Sequence, residues 1–168
     1  VPGDKIDLRI SGNHQLKKES DGTFTITPGT DKKANITVSA ELPDGSKKTL
    51  PAREFRVKRI PDPVPFFVGK TPSDRSISKQ ALVGADGIGA QMVNFDFDVR
   101  VVVKSFIVSV SRDGTLVEKK SNNNRLTADM KQLFNRVSRG NVVYFEDIIV
   151  GMPDGTERQV AAMKLKVN

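Results

Sequence analysis

The sequence predicts a mainly β chain: two tandem Ig-like β-sandwich domains, the second with an inserted α-helix. Three observations predict it. Short apolar runs alternate with polar residues along most of the chain, and clusters of Gly, Asn, Asp and Ser separate them. A hairpin signature occurs twice, as Leu42-Pro43-Asp44-Gly45-Ser46-Lys47-Lys48 and, 110 positions later, as Met152-Pro153-Asp154-Gly155-Thr156-Glu157-Arg158. One segment stands out for helical periodicity, with Met130, Leu133, Phe134 and Val137 at i, i+3, i+4 and i+7.

In the first domain Ile6, Leu8 and Ile10 alternate with charged residues, Phe24 and Ile26 with threonines, and Ile36 and Val38 with Thr37 and Ser39. Phe55 and Val57 close it, and turn clusters lie at 11–13, 20–22 and 28–31. In both hairpin copies Pro presets φ for the turn and Gly takes the φ > 0 position. The likeness continues past the turn, where Phe55-Arg56-Val57 matches Leu165-Lys166-Val167 at the same offset. Two related β-domains ending in the same hairpin explain this better than a chance recurrence of a common turn.

Between the copies, Ile60-Pro61-Asp62-Pro63-Val64-Pro65 places prolines at alternate positions, which suits extended polyproline geometry and excludes a central strand. The expected organisation is a first domain over 1–59, a mechanical linker over 60–65 built on Pro61, Pro63 and Pro65, and a second domain over 66–168. A first domain of that length is short for a sandwich of about 100 residues, so a strand or two is expected to be missing on its N-terminal side or shared with another chain. The opening Val1-Pro2-Gly3, without Met or a signal peptide, reads as a mature product or an excised piece.

The second domain is expected to hold a long strand through Phe95, Phe97, Val99, Val101 and Val103. Its apolar set then moves to Phe106, Val108 and Val110. A strand changes its buried face only at a bulge or bend, which the spacing puts at Lys104-Ser105. Arg112-Asp113-Gly114-Thr115 reads as a hairpin turn. A short helix is expected over 78–83 and a longer one over 128–139, capped by Thr127 with Asp129 in its first turn, stopped by Gly140, and with Arg136 and Arg139 complementing its C-terminal end. That helix offers Lys131, Gln132, Asn135 and Arg136 to solvent or a partner. Strands follow over 142–149 and 163–168.

Composition narrows the chemistry. The 168 residues hold no cysteine and one histidine, His14, which excludes disulfides, thiol catalysis and Cys-ligated metals and leaves little for acid–base work near neutral pH. Asp96 and Asp98 on one strand face are raw material for a cation site, but Arg100 continues the row and a solvated charge ladder is the better reading. Glu146 and Asp147 are adjacent and point to opposite faces of a strand. The run Gly84-Ala85-Asp86-Gly87-Ile88-Gly89 follows no buried strand and opens no helix, so it makes a poor phosphate loop. His14, among turn residues, reads as exposed. No catalytic, cofactor or metal site is expected.

The formal charge of +7 comes from 27 basic and 20 acidic residues and is spread over both halves, +4 in residues 1–60 and +3 in 61–168. A nucleic-acid binder gathers such charge and interleaves stacking aromatics, whereas this chain has no Trp and one Tyr, Tyr144. Nucleic acid is therefore not an expected partner. No apolar run reaches the ~18 residues of a membrane span.

The stretch Arg53-Glu54-Phe55-Arg56-Val57-Lys58-Arg59-Ile60-Pro61-Asp62-Pro63-Val64-Pro65, followed by Gly69-Lys70, resembles the junction between the last two domains of the GldM/PorM family. Phe95-Asp96-Phe97-Asp98, Ser105-Phe106-Ile107-Val108, residues 121–125, Val143-Tyr144-Phe145-Glu146-Asp147-Ile148, Pro153-Asp154-Gly155 and the terminal Lys166-Val167-Asn168 agree in order, with more likeness to PorM than to gliding GldM. The resemblance implies a non-enzymatic component of the type IX secretion system and of gliding motility in Bacteroidetes. It implies a periplasmic location in a protein anchored to the inner membrane, a homodimeric shaft, and outer-membrane-associated ring partners of the PorK/PorN or GldK/GldN type. Basic patches would steer docking to an acidic ring. The family's membrane helix, helical first domain and second domain have no counterpart in these residues, so binding of the inner-membrane motor partner is expected only through that missing N-terminal membrane segment. The alternative from another class is an extracellular Ig-like adhesion or carbohydrate-binding module, which calls for an aromatic-lined surface.

Overall fold

The computed structural model describes residues 5–112 and 114–168, so Val1-Pro2-Gly3 and the Asp113 of the expected turn lie outside the described residues. The chain divides into two compact units, Val1–Ile60 and Pro61–Asn168. Each joins a larger sheet to a two-stranded one, the tandem β-sandwich organisation the alternating pattern predicts.

The first unit holds β1 (Ile6–Ile10), β2 (Gln15–Lys18), β3 (Phe24–Thr27), β4 (Lys33–Glu41), β5 (Lys47–Thr49) and β6 (Arg53–Arg56). The long β4 is the hub. It pairs with β1 along one side, from Ile6↔Ala40 to Ile10↔Ile36, and with β5 and β6 in succession along the other. The β2–β3 ribbon forms the second sheet.

The second unit holds β7 (Val64–Phe66), β8 (Ser76–Ile77), α1 (Lys79–Val83), β9 (Gly89–Gln91), β10 (Val102–Arg112), β11 (Thr115–Ser121), α2 (Ala128–Asn135), β12 (Val142–Gly151), β13 (Glu157–Gln159) and β14 (Met163–Val167). Its large sheet runs β11-β10-β12-β14-β8 with β13 also on β12, and β7 pairs with β9. Phe67, Phe106, Phe134 and Phe145 are fully buried at its centre, and the Phe67 and Phe145 rings lie 4.4 Å apart.

The sequence repeat is a repeat of sheet architecture. The strands β1, β4, β5 and β6 correspond to β10, β12, β13 and β14. The pair Ser39↔Thr49 becomes Ile149↔Gln159, and Ala34↔Phe55 becomes Val143↔Leu165. The turns match bond for bond: Leu42 N donates to Ser46 O at 2.8 Å and Met152 N to Thr156 O at 2.8 Å, with Gly45 and Gly155 both at φ 80°. The turn alone would not establish kinship, because Glu19-Ser20-Asp21-Gly22-Thr23 builds the same bonds between β2 and β3. The shared ladders beyond the turn do. One residue breaks the offset: Asp147, at φ 46°, is an extra residue in β12. Such a bulge turns Ile148 back into the core.

The bulge expected at Lys104-Ser105 is present, as register shifts between Val103 and Ile107 of β10. The hairpin at Arg112 and Thr115 also forms, with Gly114 at φ 77°. Four expectations are corrected. The long strand does not begin at Phe95: β10 starts at Val102, and residues 92–101 lack a ladder. The second helix ends at Asn135, not 139. Arg136 is its C-cap, and Gly140 sits beyond, donating its N–H to Val167 O at 2.8 Å. The segment 60–65 is not a free linker, since the unit boundary falls between Ile60 and Pro61 and β7 takes in Val64 and Pro65. His14 is half-buried, not exposed.

Candidate functional site

The features open to function are the proline junction, the outer face of α2 and the uncovered surfaces of the first unit. At the junction, Pro63 and Pro65 are buried within the second unit and Pro61 is exposed. Pro65 pairs with Ala90 in the β7–β9 ladder, an edge position where a missing N–H is tolerated. Arg158, whose side chain is only 10% exposed, donates from Nη1 to Asp62 Oδ1 at 2.9 Å and to Pro61 O at 3.3 Å. The same guanidinium reaches Asp154 of the β12–β13 turn, Nη2 to Oδ2 at 3.9 Å. It therefore ties the start of the unit to its closing hairpin. Sequence reading missed this role, because nothing local to Arg158 shows what lies 96 residues upstream.

On α2, Thr127 caps the N-terminus through Met130 N, while Met130 and Phe134 face the core. Gln132, Asn135 and Arg136 are exposed, as expected. Lys131 is less available: its Nζ donates to Asp86 Oδ1 at 2.7 Å. This hydrogen bond, and then the charge behind it, holds the Asp86 carboxyl below the ordinary carboxylate range.

The remaining candidates resolve into structure. Asp96 and Asp98 are exposed in a segment without strand pairing. The glycine run serves close packing: a Cβ on Gly87 would lie 2.2 Å from Asn124 O, and one on Gly89 would meet the Phe66 ring at 2.3 Å. Glu146 accepts from Ser109 Oγ at 2.8 Å and Asp147 from Gln159 Nε2 at 3.0 Å. His14 stitches two loops, with Nδ1 accepting from Gly29 N at 2.9 Å and Nε2 at 3.0 Å from Lys33 O. Among the described residues no group of three or more His, Cys, Asp or Glu is placed to hold a metal ion, and no buried side-chain nitrogen or oxygen lacks a partner. No helix among them is long and apolar enough to cross a membrane.

The first unit leaves apolar surface open. Leu50 and Phe55 are 51% and 46% exposed, whereas their counterparts Val160 and Leu165 are 8% and 0% exposed. Along β14, the counterpart of β6, runs the parallel strand β8, with Lys166 opposite Ser76 and Val167 opposite Ile77. Among the described residues β6 pairs only with β4.

Two family models match the chain: the GldM third domain over residues 1–58 and the GldM C-terminal domain over residues 61–168. No curated protein matches it by sequence. The two matched spans follow the two structural units almost residue for residue and together cover nearly the whole chain. The chain belongs to the GldM family, as its third and C-terminal domains in tandem, and so to the components of type IX secretion and gliding motility.

Proposed function

We propose that the chain is a non-catalytic segment of a periplasmic shaft that carries displacement from an inner-membrane motor to the outer-membrane-associated ring and translocon. The observation that carries this reading is the connection between the matched domains. Seven residues, 57–63, separate β6 from β7; Arg158 holds Pro61 and Asp62 among them, Pro63 is buried, and the β7–β9 pairing takes over at Val64. A short, proline-stiffened and clamped connection transmits displacement, where a flexible tether dissipates it.

In this reading the full-length protein is anchored in the inner membrane, and two copies associate through the open edge and uncovered apolar face of the first unit. Ring proteins of the PorK/PorN or GldK/GldN type dock on the exposed α2 residues Gln132, Asn135 and Arg136, with Lys131 a weaker contributor because Asp86 already holds it.

The test uses the junction. Replacing Pro63 or Pro65 would disturb packing inside the second unit, so the clean variant is Arg158→Ala combined with Pro61→Gly. Melting curves should keep both transitions while secretion in cells carrying the variant falls. Normal secretion with a loosened junction, seen by solution scattering, overturns mechanical coupling. Capture of purified ring proteins, weakened by Arg136→Glu, tests the docking face, and a strict monomer by light scattering at high concentration overturns association.

A further inference from the structure

The even charge tally of the second unit conceals a separation of sign along its sheet. β12 crosses that sheet from Val142 to Gly151, and at the Val142 end three segments converge. Lys166 N donates to Arg75 O at 2.9 Å, Gly140 N to Val167 O at 2.8 Å, and Asn168 N to Ile77 O at 3.0 Å. These segments carry Arg75, Arg139 and Lys166, while Lys79 follows Ile77 by two residues and Arg136 precedes Arg139 by three. All five are exposed, and among the described residues none makes an ion pair or a side-chain hydrogen bond. The nearby Asp74 is already held, by Lys70 at 3.6 Å and by the Thr71 N–H at 2.9 Å. The other end, where Val102 opens β10 opposite Gly151, has the opposite sign. There Asp62 and Asp154 share Arg158, and the exposed Asp96, Asp98 and Glu157 outnumber Arg100 and Lys104.

We propose that the Val142 end of the second unit is a cationic dock for an acidic protein surface. This rests on the reading that ring proteins dock on this unit, and it extends the contact from the side of α2 to the end of the sheet. Hydrogen-bonded backbone sets Arg75, Arg139 and Lys166 on neighbouring segments, so their like charges repel one another. The C-terminal dipole of α2 offsets only about half a charge, and a carboxylate at Asn168 would leave the sum positive. No internal contact offsets that repulsion, whereas a facing row of carboxylates does. Three of the five are arginines, whose planar forks bind carboxylates through paired hydrogen bonds. Two other anionic partners fit less well. The converging segments carry no aromatic side chain on which a base could stack. They expose no large apolar side chain to enter a lipid surface. The acidic Gly151 end repels the same partner, so the field of the unit turns its Val142 end forward on approach.

The test is the rate at which the full chain associates with purified ring proteins, measured over a range of salt. The triple exchange Arg75→Glu, Arg139→Glu and Lys166→Glu leaves Arg136 and the rest of α2 untouched. It should slow association by about ten-fold or more at low salt and change dissociation much less. The difference should vanish near 1 M salt, where screening acts within about 3 Å. Glutamine at the three positions should give an intermediate rate, and melting curves should match the parent because all three side chains are exposed. Reversing the other end, with Asp96→Lys and Asp98→Lys, should not slow association. Unchanged association of the triple variant, or equal slowing by the Asp96 and Asp98 exchanges, overturns this dock and leaves ring docking standing. No association by the parent chain overturns both. Parent binding to phosphatidylglycerol vesicles that the triple variant loses, with its ring association kept, assigns the patch to a lipid surface and also overturns the proposal.

Discussion

The two units share a hub strand, a turn and a ladder, yet they differ in what lies above the sheet. In the second, α2, Phe67 and the segment around α1 cover the sheet, and Val143, Phe145, Ile148, Val150, Met163 and Leu165 are all buried. In the first, the corresponding face carries Ala34, Ile36, Val38, Ala40, Arg53 and Phe55, and among the described residues only Ala34 is buried. In the second unit residues 61–101 supply β7, β8, α1 and β9 ahead of β10. Sheet pairing is therefore specified locally and survives with much of one face uncovered, while a full core requires residues from elsewhere in the chain.

The largest test of this contrast exchanges the residues at one equivalent position. Met163 is fully buried and Arg53 is exposed. Met163→Arg should destabilise the second unit by about 4 kcal/mol or more, because it buries a charge without a partner. Arg53→Met should change the first unit by about 0.5 kcal/mol or less. Denaturant melts of the full chain resolve the two, and equal effects would mean that the first unit is covered in solution.

The next pair compares phenylalanines. Phe134→Ala should cost the second unit about 3–5 kcal/mol, the range for truncating a buried aromatic. Phe55→Ala, at 46% exposure, should cost the first unit about 1 kcal/mol or less when the protein is dilute. If the cost of Phe55→Ala grows with protein concentration, association through this face is the cause. An unaltered melt for Phe134→Ala would show that α2 is not part of the core.

A smaller effect should be alike in both units. Gly45 and Gly155 both sit at φ 80° with open space where a Cβ would go, so alanine costs only backbone strain. Each substitution should destabilise its own unit by about 1–2 kcal/mol. A large difference between them would show that the turns are not equivalent.

The smallest effect is electrostatic. Asp44 and Asp154 are held below the ordinary value of 3.8 by the hydroxyl and then the N–H of Ser46 and Thr156. A folded-state pKa below the unfolded one gives stability that is present above pH 4 or so and is lost as pH falls through the lowered folded value. Carboxyl NMR titration should find both groups titrating below 3.8, with Thr156→Val raising Asp154 and Ser46→Ala raising Asp44. Arg158 also lowers Asp154, so added salt should move Asp154 more than Asp44.

The sequence by itself determined what depends on a few neighbouring residues. Alternation placed most strands of both units, the Pro-Asp-Gly turns announced the hairpins, Thr127 marked where α2 begins, and the change of apolar parity at Lys104-Ser105 located the bulge. The 110-residue repeat showed two related domains, and a series of motifs pointed to the family. Of the candidate residues, exposure of Gln132, Asn135 and Arg136 followed from helical spacing. Tertiary structure decided the rest. Alternation at Phe95 to Val101 matches that of a strand, but a ladder needs a neighbour, and β12 ends at Gly151 opposite Val102. Alternate prolines matched a linker, but Arg158 and β9 hold them in the second unit. Lys131 reads as free until Asp86 is brought to it across 45 residues, and His14 reads as exposed until Gly29 and Lys33 close on it. Periodicity and turn chemistry act over a few residues, whereas burial and side-chain partnership depend on which distant segments fold over them.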